Sequence, residues 1–313
     1  MKILNLAYPD KSILQYKITK FPDGQQQVDI LGEYNRNELR ALTNPMIHFR
    51  DYSESEPTVK VIIKSRLNNF KDLELICCAV ASLRNIGVKE IHLNCPYFEG
   101  SRSDRQFEKG SNNYLKQVIC PIINSLNFES VTVLDPYSDV LEACLNHYKK
   151  ISNIDLVKFA LDEIYEPMPS VRNFVLISPD AGANKKIYKI ADAINYKGEV
   201  ITCSKDRDTN GKLSRVVVPM KPDYTTKDLI IIDDLIDGGQ TFINIVKEID
   251  GYQKNYKSIY GEKYLIITHG IFSKGFSELS QYFNGIYCTN SYQDIVLDTK
   301  LYKENFLKQL KVI

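Results

Sequence analysis

Charge of a prevailing sign is missing from this chain. Its 40 lysines and arginines stand against 39 aspartates and glutamates over 313 residues, a formal net charge of +1. No overall polycation exists to bind nucleic acid or an anionic membrane surface, so any charged partner must be met locally. Long apolar runs are missing too. The start, Met1-Lys2-Ile3-Leu4-Asn5, and every later stretch fall short of a signal peptide or a membrane span, which points to the cytoplasm. Cysteine shows no pairing pattern: Cys77, Cys78, Cys95, Cys120, Cys144, Cys203 and Cys288 are odd in number, scattered, and never spaced as a zinc ligand set. Reduced thiols without disulfides are expected. Histidine is scarce, and His48, His92 and His147 stand alone as structural or surface residues. Tandem repeats and low-complexity tracts are absent.

What is present is enough apolar material, 43% of the residues, for a substantial core and two domains. Branched apolar runs alternate with helical patterns, the signature of an α/β protein whose mainly parallel sheets are flanked by helices. Strands are expected at 60–64, 90–95, 130–134, 174–178, 199–203, 229–232 and 264–268. Helices are expected at 72–85, 155–163 and 185–195, the first striped by Leu73, Ile76, Val80 and Leu83, the last by Ile187, Ile190, Ala191 and Ile194. Pro167 and Pro169 follow the middle helix, so a domain boundary falls between 145 and 170.

The most informative stretch runs from Leu229 through Ile232, Asp233, Asp234, Leu235, Ile236, Asp237, Gly238, Gly239 and Gln240 to Thr241. Four branched apolar residues read as a strand buried on both faces, and Ile243, Val246 and Ile249 recur at helical spacing. The glycine turn therefore opens a helix, where free amides and the helix dipole favour an anion. Asp233 and Asp234 cannot bind phosphate. They suit sugar hydroxyls or a divalent cation, unless the segment is only a strand-to-helix turn with solvated acids. Ser178-Pro179-Asp180-Ala181-Gly182 repeats the logic. Asp180 can meet the acid pair at the carboxyl ends of parallel strands, or simply cap the next helix. Two charged segments, 100–110 and 204–215, read as mobile, solvated loops.

Six ordered segments extend the pattern over almost the whole chain: Phe21-Pro22-Asp23-Gly24; Pro96-Tyr97 with Arg102-Ser103-Asp104-Arg105; the Asp180 segment; the Asp233 loop; Thr268-His269-Gly270-Ile271-Phe272-Ser273; and Thr289-Asn290-Ser291. Together they resemble the ribose-phosphate pyrophosphokinases, which make phosphoribosyl pyrophosphate from ATP and ribose 5-phosphate on two phosphoribosyltransferase-like domains. The resemblance implies domains at 1–149 and 150–299, with a helical 302–310 inside a 300–313 segment that packs back on the first. It implies Mg2+ held by Asp180 and Asp135. Asp233 and Asp234 would anchor the ribose, with Asp237, Gly238, Gly239, Gln240 and Thr241 around its 5-phosphate. Lys205, Arg207 and Arg102 would neutralise the transferred group, a sensible need because this chemistry asks chiefly for positive charge around shifting oxygens. Phe21, Asp23 and Gln25 would form an adenine pocket lent by a neighbouring subunit of a homo-oligomer, a dimer or hexamer, and Arg102, Ser103 and Asp104 would complete the ATP site. Pro22-Asp23-Gly24 is equally a good β-turn.

Departures from the family pattern limit what carries over. Gln25 stands for a glutamate, and Asp135-Pro136-Tyr137 replaces Asp-Leu-His with a phenol that is a poor metal ligand. Gly238 replaces a threonine and Gln240 a glycine, while His269 can serve simply to orient its loop. An open glycine turn would admit a 5-phosphate that continues into a second group, which makes ADP-ribose, in NAD metabolism, a rival acceptor for the same reaction. A phosphoribosyltransferase acting on a base would share the ribose cradle, and a non-enzymatic regulator would keep only the fold.

Overall fold

The computed structural model describes residues 1–31, 59–166, 172–207, 213–221, 224, 226–256, 261–295 and 310–312. Met1–Ile151 and Ser152–Ile313 form two compact units.

In the first unit β1 (Lys2–Asn5), β4 (Lys60–Lys64), β5 (Glu90–Asn94), β6 (Ser130–Leu134) and β7 (Tyr148–Ile151) make one parallel sheet in that spatial order. Each new strand joins on the same side as the last. Helix α1 (Phe70–Asn85) starts where the Asn69 side chain accepts from Lys71 and Asp72 N–H, and it buries Leu73, Ile76, Val80 and Leu83. A hairpin of β2 (Tyr16–Lys20) and β3 (Gln26–Ile30) lies on α1: Ser82 Oγ donates to the Val28 carbonyl at 2.6 Å and Gln26 Nε2 to that of Lys71 at 2.9 Å. After a short π-helical stretch, Leu115–Ile119, comes α2 (Cys120–Ser125). Pro121 explains the wide turn: it has no N–H, its ring crowds the carbonyl four residues back, and Cys120 N–H reaches Leu115 instead. The short α3 (Val140–Cys144) completes the unit.

The second unit begins with α4 (Ile154–Tyr165), followed by β8 (Phe174–Ser178), α5 (Asn184–Ala193) and β9 (Val200–Thr202). Then come β12 (Asp228–Ile236), α6 (Gln240–Tyr256), β13 (Lys263–Gly270), β14 (Gly285–Thr289) and β15 (Leu310–Val312). The sheet is parallel with order β15-β14-β13-β12-β8-β9. The chain therefore steps outward from β8 to β9, then returns to the other side of β8 as β12. Ligands of open parallel sheets bind where the order reverses in this way.

Alternation along the strands sorts the side chains onto two faces. Val175, Ile177, Ile231 and Ile267 pack with Phe242, Ile243, Val246 and Ile249 of α6. Leu176, Ile230, Ile232 and Ile266 pack with Leu156, Val157 and Leu161 of α4 and Ile187 and Ile190 of α5. Both faces are covered, as the continuous apolar runs require.

Three expectations need correction. The strand expected at 229–232 continues through both acids to Ile236, because Leu235 and Ile236 are buried and the ladder to β13 runs on to Gly270. The segment 204–215 contains strands rather than an irregular loop: β10 (Ser204–Arg207) pairs antiparallel with β11 (Leu213–Val217), and Val216 and Val218 are drawn into the core. The C-terminal β15 pairs with β14 in the second unit, where the resemblance led us to expect residues 300–313 on the first. Among the described residues β15 is the last strand on that edge of the sheet. Of the helix expected at 302–310, residues 302–309 lie outside those described. Among the described residues no helix is long and apolar enough to cross a membrane, and all seven cysteines are free thiols.

Candidate active site

The ends of β8 and β12 lie side by side at the reversal and deliver three carboxylates. Asp180 follows β8 in a turn where Ser178 Oγ donates to the Asp180 carbonyl at 2.7 Å. Its carboxylate works in two directions, accepting from Ala183 N–H at 3.1 Å and from Lys205 Nζ at 2.7 Å. Burial opposes its ionisation, but Lys205 and the amides of Ala183 and Gly182 outweigh that and hold it below the ordinary aspartate range. Asp180 thus closes the turn before α5 and also faces a cation from β10.

On β12 the two neighbouring acids separate. Asp234 shares the parity of Ile230 and Ile232, on the face covered by α4 and α5, and its Oδ2 lies 2.5 Å from Lys186 Nζ of α5. A lysine in the first turn of a helix opposes the dipole, and Asp234 supplies the compensation. Asp233 falls on the opposite parity and accepts from Asp234 N–H at 2.9 Å. Desolvation, with repulsion from Asp234 and Asp180, pushes its carboxyl well above the usual value; the Asp234 amide and Lys205 only partly offset this. Three carboxylates therefore meet two cations, Lys186 and Lys205, and the shortfall falls on Asp233.

The turn that follows is shaped by its contacts. Gly239 has φ +79°, and a Cβ there would come within 2.9 Å of Leu279, so conformation and space both demand glycine. Phe242 and Ile243 N–H close on the Gly239 carbonyl at 3.0 and 3.1 Å and start α6, whose leading N–H groups have no partner in the helix. Gln240 spends its amide locally, donating to Asn244 Oδ1 at 2.9 Å. Thr241 is half-buried in the first turn of α6. The loop after β13 lies alongside: Ser273 Oγ donates to Asp237 Oδ1 at 2.6 Å, and the Lys274 methylenes lie 3.3 Å from where a Cβ of Gly238 would stand. Below the loop His269 Nδ1 meets Ser291 Oγ at 2.7 Å, and Thr289 Oγ1 donates to the Thr268 carbonyl at 2.6 Å. His269 is buried at 3% exposure, so it orients the loop and is not turned to solvent. Sequence reading placed neither Lys186 nor Lys274 beside this turn, and Ser273 stood only within a family segment without a role of its own. The signal for Lys186 was a cation in the first turn of a helix.

The residues expected at an ATP site lie in the first unit. Phe21, Asp23 and Gln25 are exposed at the tip of the β2–β3 hairpin, closed by Gly24 N–H to the Phe21 carbonyl at 2.9 Å. Asp23 accepts from Gln25 N–H at 3.1 Å, an Asx-type turn that still leaves its carboxylate in solvent. In the 100–110 segment Arg102 is exposed and Ser103 half-buried, but Asp104 is buried. The Asp104 carboxylate accepts from Arg105 at 2.7 Å and from Ser138 Oγ at 2.5 Å, while Asn113 Nδ2 donates to its carbonyl at 2.7 Å. The Arg105 bond, aided by Ser138 against the cost of burial, holds that carboxyl below the ordinary range. Asp104 is a clamp within its loop. Asp135 is buried with φ +36°, its N–H donating to Ile151 at 2.7 Å, and Tyr137 is exposed. Arg207 ends β10 as its backbone pairs with Leu213.

Among the described residues no group of three or more His, Cys, Asp or Glu side chains is placed to hold a metal ion, and Asp180 and Asp135 belong to different units. The donor set near the reversal nevertheless fits magnesium shared with a substrate. Mg2+ keeps waters and usually takes one or two carboxylates plus substrate phosphates. Asp233, desolvated and short of a cation, with Asp180 close enough to repel it, is such a pair.

No protein-family model matches the chain. Curated relatives do. A ribose-phosphate pyrophosphokinase of Pyrococcus abyssi is 23% identical over 295 residues, 90% of this chain and 85% of the relative. One of Mycoplasmopsis pulmonis is 25% identical over 250 residues, 79% and 70% respectively, and one of Saccharolobus solfataricus 22% over 228 residues, 72% and 68%. The crystal structure of phosphoribosylpyrophosphate synthetase from Mycobacterium smegmatis superposes with a TM-score of 0.71, spanning 100% of this chain and 94% of that one at 16% identity. That likeness fixes the fold: two phosphoribosyltransferase-like α/β units.

Proposed function

We propose that this chain, a divergent relative of the ribose-phosphate pyrophosphokinases, transfers the β,γ-diphosphate of Mg-ATP to the C1 hydroxyl of ribose 5-phosphate. The observation that carries the proposal is the meeting of Asp180 and Asp233 at the ends of adjacent parallel strands where the strand order reverses, next to the Gly238-Gly239 turn. The acceptor's C1 oxygen bonds to the β-phosphorus while the bond from that phosphorus to the α,β-bridging oxygen breaks. AMP departs with the bridging oxygen, and the hydroxyl proton passes to solvent.

In this reading Asp233 accepts from ribose hydroxyls, and Asp234, anchored by Lys186, adds a second acceptor at the strand end. The turn from Asp237 to Thr241 receives the 5-phosphate, its leading amides facing the anion. Lys205 moves between Asp180 in the free protein and the transferred phosphates, with Arg207 and Arg102 as further cations. Phe21, Asp23, Gln25 and Ser103 serve ATP, the hairpin residues through a second copy of the chain in a homo-oligomer; Asp104 supports that site by fixing its loop. Magnesium, when bound, screens the phosphate charges, and Asp180 and Asp233 are the residues that would hold it, with Asp135 in a supporting role. ADP-ribose is the second acceptor, favoured by the missing side chain at Gly238. Incubation of the purified chain with Mg-ATP and each acceptor, followed by chromatography of the nucleotides, tests the reading. AMP formed only when an acceptor is present supports it, and its absence with both acceptors overturns it.

A further inference from the structure

Lys274 has no place in the reaction just described, yet its methylenes lie against the glycine turn. It sits in a tight turn after β13 whose Gly275 N–H donates to the Phe272 carbonyl at 2.8 Å. Phe272 and Phe276, on either side of it, are buried in the core with ring centroids 4.4 Å apart. Lys274 itself is exposed. Its side chain does not trail into solvent: Cδ and Cε both lie 3.3 Å from where a Cβ of Gly238 would stand. Among the described residues no carboxylate or carbonyl pairs with its ammonium. Nearby, the Asp237 carboxylate already engages Ser273 and adds negative charge to a turn meant for an anion.

Gly238 lacks the positive φ of Gly239, so nothing in its backbone forbids a side chain. What stands in the way of a larger one is the Lys274 side chain, whose methylenes would have to give way. The position that would carry a hydroxyl-bearing side chain is instead covered by the methylenes of a lysine that ends in a charge. We infer that Lys274 completes the anion site of the turn, its ammonium binding the phosphate group attached to C5 of the acceptor and offsetting Asp237. The inference rests on the proposed reaction and deepens it: the acceptor must carry an anionic phosphate at C5, as a monoester or as the first phosphate of a diphosphate. An ammonium contributes to either as a point charge and demands no fixed geometry, unlike a hydroxyl.

Two variants and two readouts test this. Lys274→Ala keeps both anchoring phenylalanines. Inorganic phosphate, titrated by calorimetry, should bind about tenfold more weakly to Lys274→Ala than to the unaltered protein, with Lys274→Arg close to unaltered. In the AMP assay KM for ribose 5-phosphate or ADP-ribose should rise about tenfold with KM for ATP unchanged; a rise for one acceptor alone identifies which source supplies the phosphate. Gly238→Thr combined with Lys274→Ala should recover part of the lost affinity, since a threonine then has both room and a hydroxyl. Equal phosphate affinity in the unaltered protein and Lys274→Ala, or no phosphate binding by either, overturns the inference. Absence of AMP from the unaltered protein overturns the reaction instead, because the phosphate titration does not depend on turnover.

Discussion

Lys186 Nζ lies 2.5 Å from Asp234 Oδ2, and that ion pair divides two adjacent acids into different roles. Neighbours on a strand face opposite ways, so Lys186 of α5 pairs with Asp234, and Asp233 is left with only partial relief from Lys205, which is already bonded to Asp180. Asp234 is anchored by Lys186, and Asp233 is the member that the proposed reaction uses first. In functional terms the pair is asymmetric, unlike the symmetric grip on a sugar diol that adjacency in sequence suggests.

Asp233→Asn should stabilise the free protein while removing turnover. The Asp233 carboxyl is raised by burial and by its acidic neighbours, so its charged form costs stability at neutral pH. A group whose folded pKa is raised contributes favourably below its unfolded pKa, about 4, and loses that contribution as pH rises through the folded value. Thermal unfolding near pH 7 should therefore show a higher Tm for Asp233→Asn, by about 2–4 °C for each 1 kcal/mol relieved, and the gain should vanish below about pH 4.

The Lys186–Asp234 pair should be energetically coupled. Their side chains are only 23% and 11% exposed, so the pair is shielded from bulk water. Urea unfolding of Lys186→Ala, Asp234→Ala and the double variant should give a coupling of about 1–2 kcal/mol, the double variant losing less stability than the two single losses added together.

Asp180 should show the opposite pH behaviour to Asp233. Burial works against its charge, yet Lys205 and two amides bring its pKa below the ordinary value. A lowered folded pKa gives a stabilisation present above the unfolded pKa and lost as pH falls through the folded one. Carbon-detected NMR titration should place the Asp180 midpoint below that of an exposed aspartate, and Lys205→Met should move it upward past that value. An unmoved midpoint would separate the two residues.

Gly239→Ala should cost about 1–3 kcal/mol, because a left-handed backbone and a Leu279 contact at 2.9 Å combine at one position. Gly238→Ala, without the positive φ and with only flexible methylenes 3.3 Å away, should cost much less. Denaturant midpoints of the two variants make the comparison.

Strands with apolar residues on both faces, such as Phe174–Ser178 and the start of Asp228–Ile236, were legible because burial on two sides writes an unbroken apolar run. The hairpin Tyr16–Lys20 with Gln26–Ile30 was not, since one polar face breaks the run and its partner is a helix 40 or more residues away, seen in Gln26 with Lys71 and Val28 with Ser82. The glycine turn and its acids were visible as local chemistry. The division of labour between Asp233 and Asp234 was hidden, because it depends on strand parity and on Lys186, 48 residues distant. The Ser138 contact of Asp104 was hidden for the same reason, since that serine comes from 34 residues away. Lys274 was invisible until a turn after another strand was laid over Gly238.

The most direct measurement is phosphorus NMR of the reaction with Mg-ATP and ribose 5-phosphate, repeated with ADP-ribose. The expected result is AMP together with a diphosphate newly attached to the anomeric carbon of one acceptor, abolished in Lys205→Ala. ADP with a single phosphate transferred, or ATP left intact beside both acceptors, would contradict a pyrophosphoryl transfer.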